Sequence, residues 1–405
     1  MTAPPQVAGR SALAGFYFLY FAALGITQPF LPAYLASLSL SATQVGLLLA
    51  LGPLMSLLMP PLWGHLADRT GRPDRVLTLL ATCACLAFAP LLFATRFATL
   101  LLVLATYALF VSSVTALADA LTLHRVAHVG GSYARLRLFG SVGFVLSTTA
   151  FGLATVRPDR SAVAIPLGLV AAYALWSLRI RAPSAPGAAV TPLAGLRLLA
   201  PRDVRLLLGA TCLHWLACAP YNGLLSLHVE ALGLRPAVVG LSSGLGVAAE
   251  VGVMLLHPQL ARRLAPRHLL FLAFAASAVR WAGMAATRSP VAIVALSLLH
   301  GMTFGAFYVA SVAFMAERSP PALRASGQTL FVSVSFGLGG LLGYVSAGAG
   351  YDWLGGHRLY GVAALLEVAA ALLVLGVHPP AQASGVPLPG RQGPGGETGR
   401  SAHPG

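Results

Sequence analysis

Gly64-His65-Leu66-Ala67-Asp68-Arg69-Thr70-Gly71-Arg72-Pro73-Asp74-Arg75 stands between two long apolar runs. Five charged side chains crowd this short turn. Gly71 permits a sharp reversal. Asp68 can pair with a neighbouring arginine or cap the helix that follows. Gly64 leaves room for a second helix to approach closely. Charge asymmetry across a membrane alone would also place arginines in such a loop. Its meaning therefore rests on the chain around it.

That chain has 405 residues, 57% of them hydrophobic and 9% charged, with mean hydropathy +0.79. Soluble domains carry about 25% charged residues. A soluble globular protein, a disordered chain and a disulfide scaffold are excluded, which leaves a polytopic membrane protein. A hydrocarbon core about 30 Å thick needs about 20 helical residues. Twelve apolar segments meet this, at roughly 11–36, 43–64, 75–95, 97–123, 135–156, 162–180, 203–229, 237–257, 268–287, 290–315, 323–349 and 358–377. Helices are expected because lipid cannot satisfy an open sheet edge, and the alternation of a barrel strand is missing. The first run is too long for a cleaved signal peptide. Cys83, Cys85, Cys212 and Cys218 all fall inside apolar segments, as small packing residues rather than a disulfide or metal framework.

All 26 basic residues are arginine. With a cytoplasmic N-terminus, nineteen fall on the cytoplasmic side, six on the other, and Arg280 lies within a segment. This bias predicts both termini inside. No soluble basic patch remains for nucleic acid. Residues 182–202, rich in Pro, Ala and Gly, divide an N-terminal six-helix half (1–181) from a C-terminal one (203–378). A shift of 194 lays Val45-Gly46 on Val239-Gly240, Leu66-Ala67 on Leu260-Ala261 and Arg69 on Arg263, as a duplicated transporter would. Residues 379–405, dominated by Gly and Pro, read as a disordered, dispensable tail.

The loop matches every fixed position of G-x-L-A-D-R-x-G-R and so resembles the signature loop of the major facilitator superfamily. The resemblance implies a conformational gating role for Gly64, Asp68, Arg69, Gly71 and Arg72. The second-half copy is degraded, with Arg262 in place of the acid.

Ionisable groups inside a membrane segment are costly and mark function by default. They are Asp119 in the fourth segment, His214 in the seventh, Glu250 in the eighth, Arg280 in the ninth, His300 in the tenth and Glu367 in the twelfth. Glu250, Arg280 and His300 fall about 10–18 Å inside their segments at 1.5 Å per residue, at similar depth. An arginine approaching or leaving a buried carboxyl makes it release or take a proton, and histidine shares protons near neutral pH. A static ion pair that only locks packing is the alternative. Helical spacing puts His300, Thr303, Phe304, Phe307 and Tyr308 on one face, with Gly301 and Gly305 beside it. His214, Cys218, Tyr221 and Asn222 form a second stripe, and Tyr17, Tyr20, Leu24, Thr27 and Gln28 a third. Such stripes suit a hydrated cavity for an aromatic or hydroxylated solute, with Tyr20, Gln28, His214, Tyr221, Asn222 and Tyr308 among its walls. Packing between helices also explains any one of them.

Tyr133-x-Arg135-x-Arg137-x-x-Gly140, with Asp119 upstream, resembles lactose permease and its relatives, as do the acid, arginine and histidine of segments eight to ten. The resemblance implies that Asp119 and Arg137 hold substrate and that Glu250, Arg280 and His300 carry proton coupling. Thr303 stands where those relatives carry an acid. Phe16-Tyr17-Phe18, Pro29-Phe30-Leu31-Pro32, Arg280-Trp281 and Leu299-His300-Gly301-Met302-Thr303-Phe304-Gly305 resemble the phenylpropionate permease group, near the nucleoside and oligosaccharide:proton symporters.

The expectation is an all-α major facilitator fold in the bacterial inner membrane. It would be a monomer that takes up a sugar, nucleoside or aromatic acid with protons by alternating access. No cofactor, metal cluster or catalytic triad is expected. Without lysine, the phosphate loop G-x-x-x-x-G-K-[ST] is impossible. A proton-coupled efflux antiporter is the alternative, although Gly140-Ser141-Val142-Gly143-Phe144 lacks the proline of the antiporter signature. A non-transporting sensor would need an output domain beyond the short tail.

Overall fold

A computed structural model describes residues 8–157, 159–181, 197–320 and 323–377. Most of the linker expected over 182–202, and the tail over 379–405, lie outside the described residues. The first half contains α1 (Arg10–Ser37), α2 (Ala42–Leu58), α3 (Pro60–Thr70), α4 (Pro73–Phe88), α5 (Phe97–Val111), α6 (Val114–Val129), α7 (Tyr133–Ala154) and α8 (Ser161–Ser177). The second contains α9 (Arg202–Ala231), α10 (Ala237–Ala261), α11 (Pro266–Ala286), α12 (Pro290–Ser297), α13 (Phe307–Arg318), α14 (Arg324–Val332) and α15 (Gly339–Leu375). Two π-helical turns, Gly301–Ala306 and Ser333–Leu338, interrupt the tenth and eleventh segments. There is no strand among the described residues.

Each expected apolar segment lies on helix. By length and apolarity, eight helices among the described residues suffice to cross a membrane, or nine if α2 and α3, bent by 44°, count as one. The rest of the expected twelve differ for physical reasons. Helix α8 has only 17 residues. Helix α9 interrupts its apolar run with Arg205, His214, Asn222 and His228. The last two segments run together, broken where Gly355 takes φ 74°.

The packing explains where the two halves meet. Leu13, Phe16, Tyr17, Leu77 and Leu121 form a core within the first half, and Leu207, Phe274, Phe307 and Phe331 one within the second. A third core draws on both halves, with Phe30, Val45 and Phe88 packed in one body with Ala217, Trp281 and Tyr360. At this end the backbones touch. A methyl on Gly152 would sit 2.8 Å from the Gly240 Cα, and one on Gly46 would sit 2.9 Å from the Gly348 Cα. Towards the other end, α3 and α6 pack mainly on their own half, as α13 and α14 do on theirs. The halves are joined at the end of residues 38–42 and part towards the signature loop.

In that loop Gly71 ends α3 in the left-handed conformation, φ 58°, and Pro73 opens α4. Arg72 donates twice to Asp74, at 2.9 and 2.8 Å, and Asp74 is buried. The ion pair expected of Asp68 is therefore made by Asp74, two residues beyond the arginine. Asp68 and Arg69 are exposed. A methyl on Gly64 would meet nothing within 4 Å, so the close approach expected there is not made in this conformation.

Candidate functional site

The first-half wall is built around Tyr17 of α1. Its hydroxyl donates to Asp119 of α6 at 2.6 Å and lies 3.0 Å from the Thr122 hydroxyl. Arg137 of α7 places its guanidinium carbon 3.8 Å from the centre of the Phe21 ring and 5.6 Å from that of Tyr17. Gly140, one turn later, makes this possible: a methyl there would sit 2.7 Å from the Phe21 ring and 2.9 Å from Arg137 Nη1. Asp119 and Arg137 form no ion pair with each other among the described residues. Tyr17 links them, holding the acid through its hydroxyl and sharing the arginine with Phe21. A cation held over a ring is worth about 0.5–1 kcal/mol when exposed and leaves its N–H edge free.

The second-half wall brings together three groups from different helices. Arg280 of α11 donates from Nη1 to His300 Nδ1 at 3.2 Å. His300 Nε2 stands 3.6 Å from Glu250 Oε2 of α10. Arginine only donates, so Nδ1 accepts and the ring proton sits on Nε2, facing the carboxyl. Arg280 is 1% exposed. The Tyr221 ring covers it at 4.0 Å and the Trp281 ring at 4.6 Å, and its Nε and Nη2 have no hydrogen-bond partner among the described residues. The glycines beside His300 set the spacing. A methyl on Gly301 would sit 2.8 Å from the Ala249 carbonyl oxygen, and one on Gly305 3.2 Å from that of Glu250. The two helix backbones therefore approach closely, which puts His300 within reach of the carboxyl.

His300, Phe304 and Tyr308 form a ladder of stacked rings, with centroids 5.8 Å apart at both steps. Arg137 bears electrostatically on Glu250, and both Asp119 and Arg137 bear on Tyr308. The two walls thus face each other. Tyr20 and Asn222 are half-buried, and Gln28 is exposed. Tyr221 is buried and donates to Ser297 at 3.0 Å.

His214 turns away from the walls. It is fully buried, with Nδ1 at 2.9 Å from both Glu367 oxygens and Nε2 at 2.9 Å from the Thr303 carbonyl. Cys218 lies 3.7 Å from Nε2. Sequence spacing gave no sign of the Glu367 pairing, since the partners lie 153 residues apart.

Two helical halves joined at one end, with ionisable groups from both facing each other between them, define a multi-pass membrane transporter of the major facilitator superfamily. The MFS_1 like family model matches residues 11–362, and the chain belongs to that family. It is 30% identical to the maltose permease of Geobacillus stearothermophilus over 340 residues, 80% of this chain and 83% of that one. It is 31% identical to the probable 3-phenylpropionic acid transporter of Escherichia coli over 368 residues, 88% of this chain and 95% of that one. The crystal structure of the nucleoside transporter NupG superposes with TM-score 0.77 at 18% identity, covering 91% of this chain and 98% of that one. The family and these relatives are transporters, not enzymes, and the solutes named for them are small molecules.

Proposed function

We propose that the chain is a secondary active transporter that takes up a sugar, nucleoside or aromatic acid together with protons. Twelve crossings place both termini in the cytoplasm of a bacterium, and the closed end faces outward. The conformation described above is then the one open to the cytoplasm. The observation that carries the coupling is the relay Arg280, His300, Glu250, aligned towards Arg137 of the opposite wall. A solute bound between Arg137 and Glu250 changes the field at the carboxyl, and with it the proton that His300 shares. This is the linkage a symporter needs.

A thermal-shift screen of purified protein against sugars, nucleosides and aromatic acids tests the solute class. The bound class raises the unfolding midpoint by mass action. No shift with any of the three classes rejects the assignment. Proteoliposomes loaded with the solute that binds then show whether an imposed pH gradient drives accumulation.

A further inference from the structure

Glu367, on α15, has no part in the walls, yet its carboxyl is fully buried and bonded to two other buried side chains. Both of its oxygens lie 2.9 Å from His214 Nδ1, and Oε1 also accepts from Trp281 Nε1 at 3.1 Å. Glu367 and His214 are 0% exposed. His214 Nε2 faces the Thr303 carbonyl, which can only accept, so that nitrogen carries a proton. Nδ1 and the carboxyl therefore share one further proton between them.

The contacts of this pair lead to both neighbours of the relay. Trp281 follows Arg280 in sequence and lies under its guanidinium. Thr303 sits within the π-turn that begins directly after His300, where the regular helical ladder is interrupted. On its other face Gly301 lies against the Ala249 carbonyl and the Val253 side chain, and Gly305 against Glu250. These contacts fix how near the two helices come beside His300. From behind, His214 holds the turn through the Thr303 carbonyl, three residues after His300.

We propose that Glu367 is a positioning residue: bonded to His214 and Trp281, it sets the alignment of His300 with Glu250 and Arg280. The inference rests on the reading of that trio as the working site. A pair that served stability alone would be replaceable by apolar packing without moving His300.

The test reads geometry rather than transport. Glu250→His puts two imidazoles where the acid and His300 now stand 3.6 Å apart. Two ligands on a tetrahedral zinc at about 2.0–2.1 Å stand about 3.4 Å from each other. Zinc ion alone, titrated into the purified full chain by thermal shift, is expected to stabilise Glu250→His. Adding His300→Ala is expected to remove that response, which separates it from zinc held elsewhere. Adding Glu367→Gln, which keeps an acceptor for Trp281 and a donor for Nδ1, leaves zinc affinity within about twofold. Adding Glu367→Ala weakens it at least tenfold. If Glu367→Ala does not fold, Glu367→Asp, its carboxyl withdrawn by about 1.5 Å, weakens zinc at least threefold. Unchanged affinity in the deciding variant, or no zinc response in Glu250→His, overturns the proposal. Accumulation by Glu250→Gln tests the coupling separately, so either idea can fail alone.

Discussion

The carboxylate of Asp352 accepts both the backbone N–H and the hydroxyl of Thr43, at 2.8 and 2.6 Å, across the boundary between the halves. It also accepts the N–H of Ala42 at 3.0 Å. Asp352 thus caps α2 from the opposite half, beside the cap that Ser41 provides from within. A helix cap contributes about 1 kcal/mol, or about fivefold in an equilibrium constant. Asp352→Ala should shift the population about fivefold towards opening of this end. The measurement is the labelling rate of Val45→Cys, a site with 0% exposure here, by an impermeant maleimide in a background without the native cysteines. An unchanged rate would show that the cap does not hold the end closed.

Burial pushes the Asp352 carboxyl up, but the hydrogen bonds from Thr43 and Ala42 outweigh it and hold the group below its ordinary 3.8. A depressed carboxyl contributes its stability above the unfolded value and loses it as pH falls through the folded one. The cap is therefore complete throughout pH 5–8. The Val45→Cys labelling rate, corrected for maleimide chemistry, should be flat over that window. A rise on going from pH 8 to pH 5 would contradict this.

Glu250→Gln keeps the shape of the relay but removes its exchangeable proton. Exchange of solute across proteoliposomes should continue, while accumulation driven by a pH gradient is lost. Wild-type accumulation in this variant would remove Glu250 from the coupling.

Arg137→Ala should weaken solute binding at least tenfold by calorimetry, with little change in unfolding midpoint, because the group is only partly buried. Arg137→Lys should not restore it, since an ammonium lacks the planar face that lies over Phe21 and the fork that binds a carboxylate or vicinal hydroxyls. Full rescue by lysine would mean that only charge matters there.

The two acids of the signature loop should separate. Asp74 is buried against Arg72, so Asp74→Asn should lower the unfolding midpoint by several degrees, through the roughly 1–3 kcal/mol cost of a weakened buried bond. Asp68 is exposed. Asp68→Asn should leave the midpoint unchanged and affect transport alone. Equal loss of stability in both variants would remove the distinction.

Depth along a helix was legible in the sequence, and so was the face on which residues fall. The common depth of Glu250, Arg280 and His300, and the stripe His300, Phe304, Tyr308, follow from helical spacing alone. The rotation of one helix against another was not legible. These helices are apolar on nearly every side, so the pattern that tells a soluble helix which face is inward carries little signal. His214 therefore reads as a cavity residue by spacing, while its ring points at Glu367. Asp119 and Arg137 read as substrate-holding groups by resemblance, while the Tyr17 that stands between them was not legible as their link. Asp74, overshadowed by the more familiar Asp68, was visible next to Arg72 but drew no separate expectation. The π-turn at Gly301–Ala306 left no sign beyond its two glycines.

The seam between Gly152 and Gly240 carries a consequence for how the molecule moves. Surfaces that meet through bare backbone have no interlocked side chains to disengage and no rotamers to search when they meet again. Their attraction comes from a small number of weak atomic contacts, each about 0.1–0.2 kcal/mol. Such a seam is a sliding bearing rather than a lock. It contributes little to the preference for either position, which leaves directional contacts such as the Asp352 cap to tip the balance.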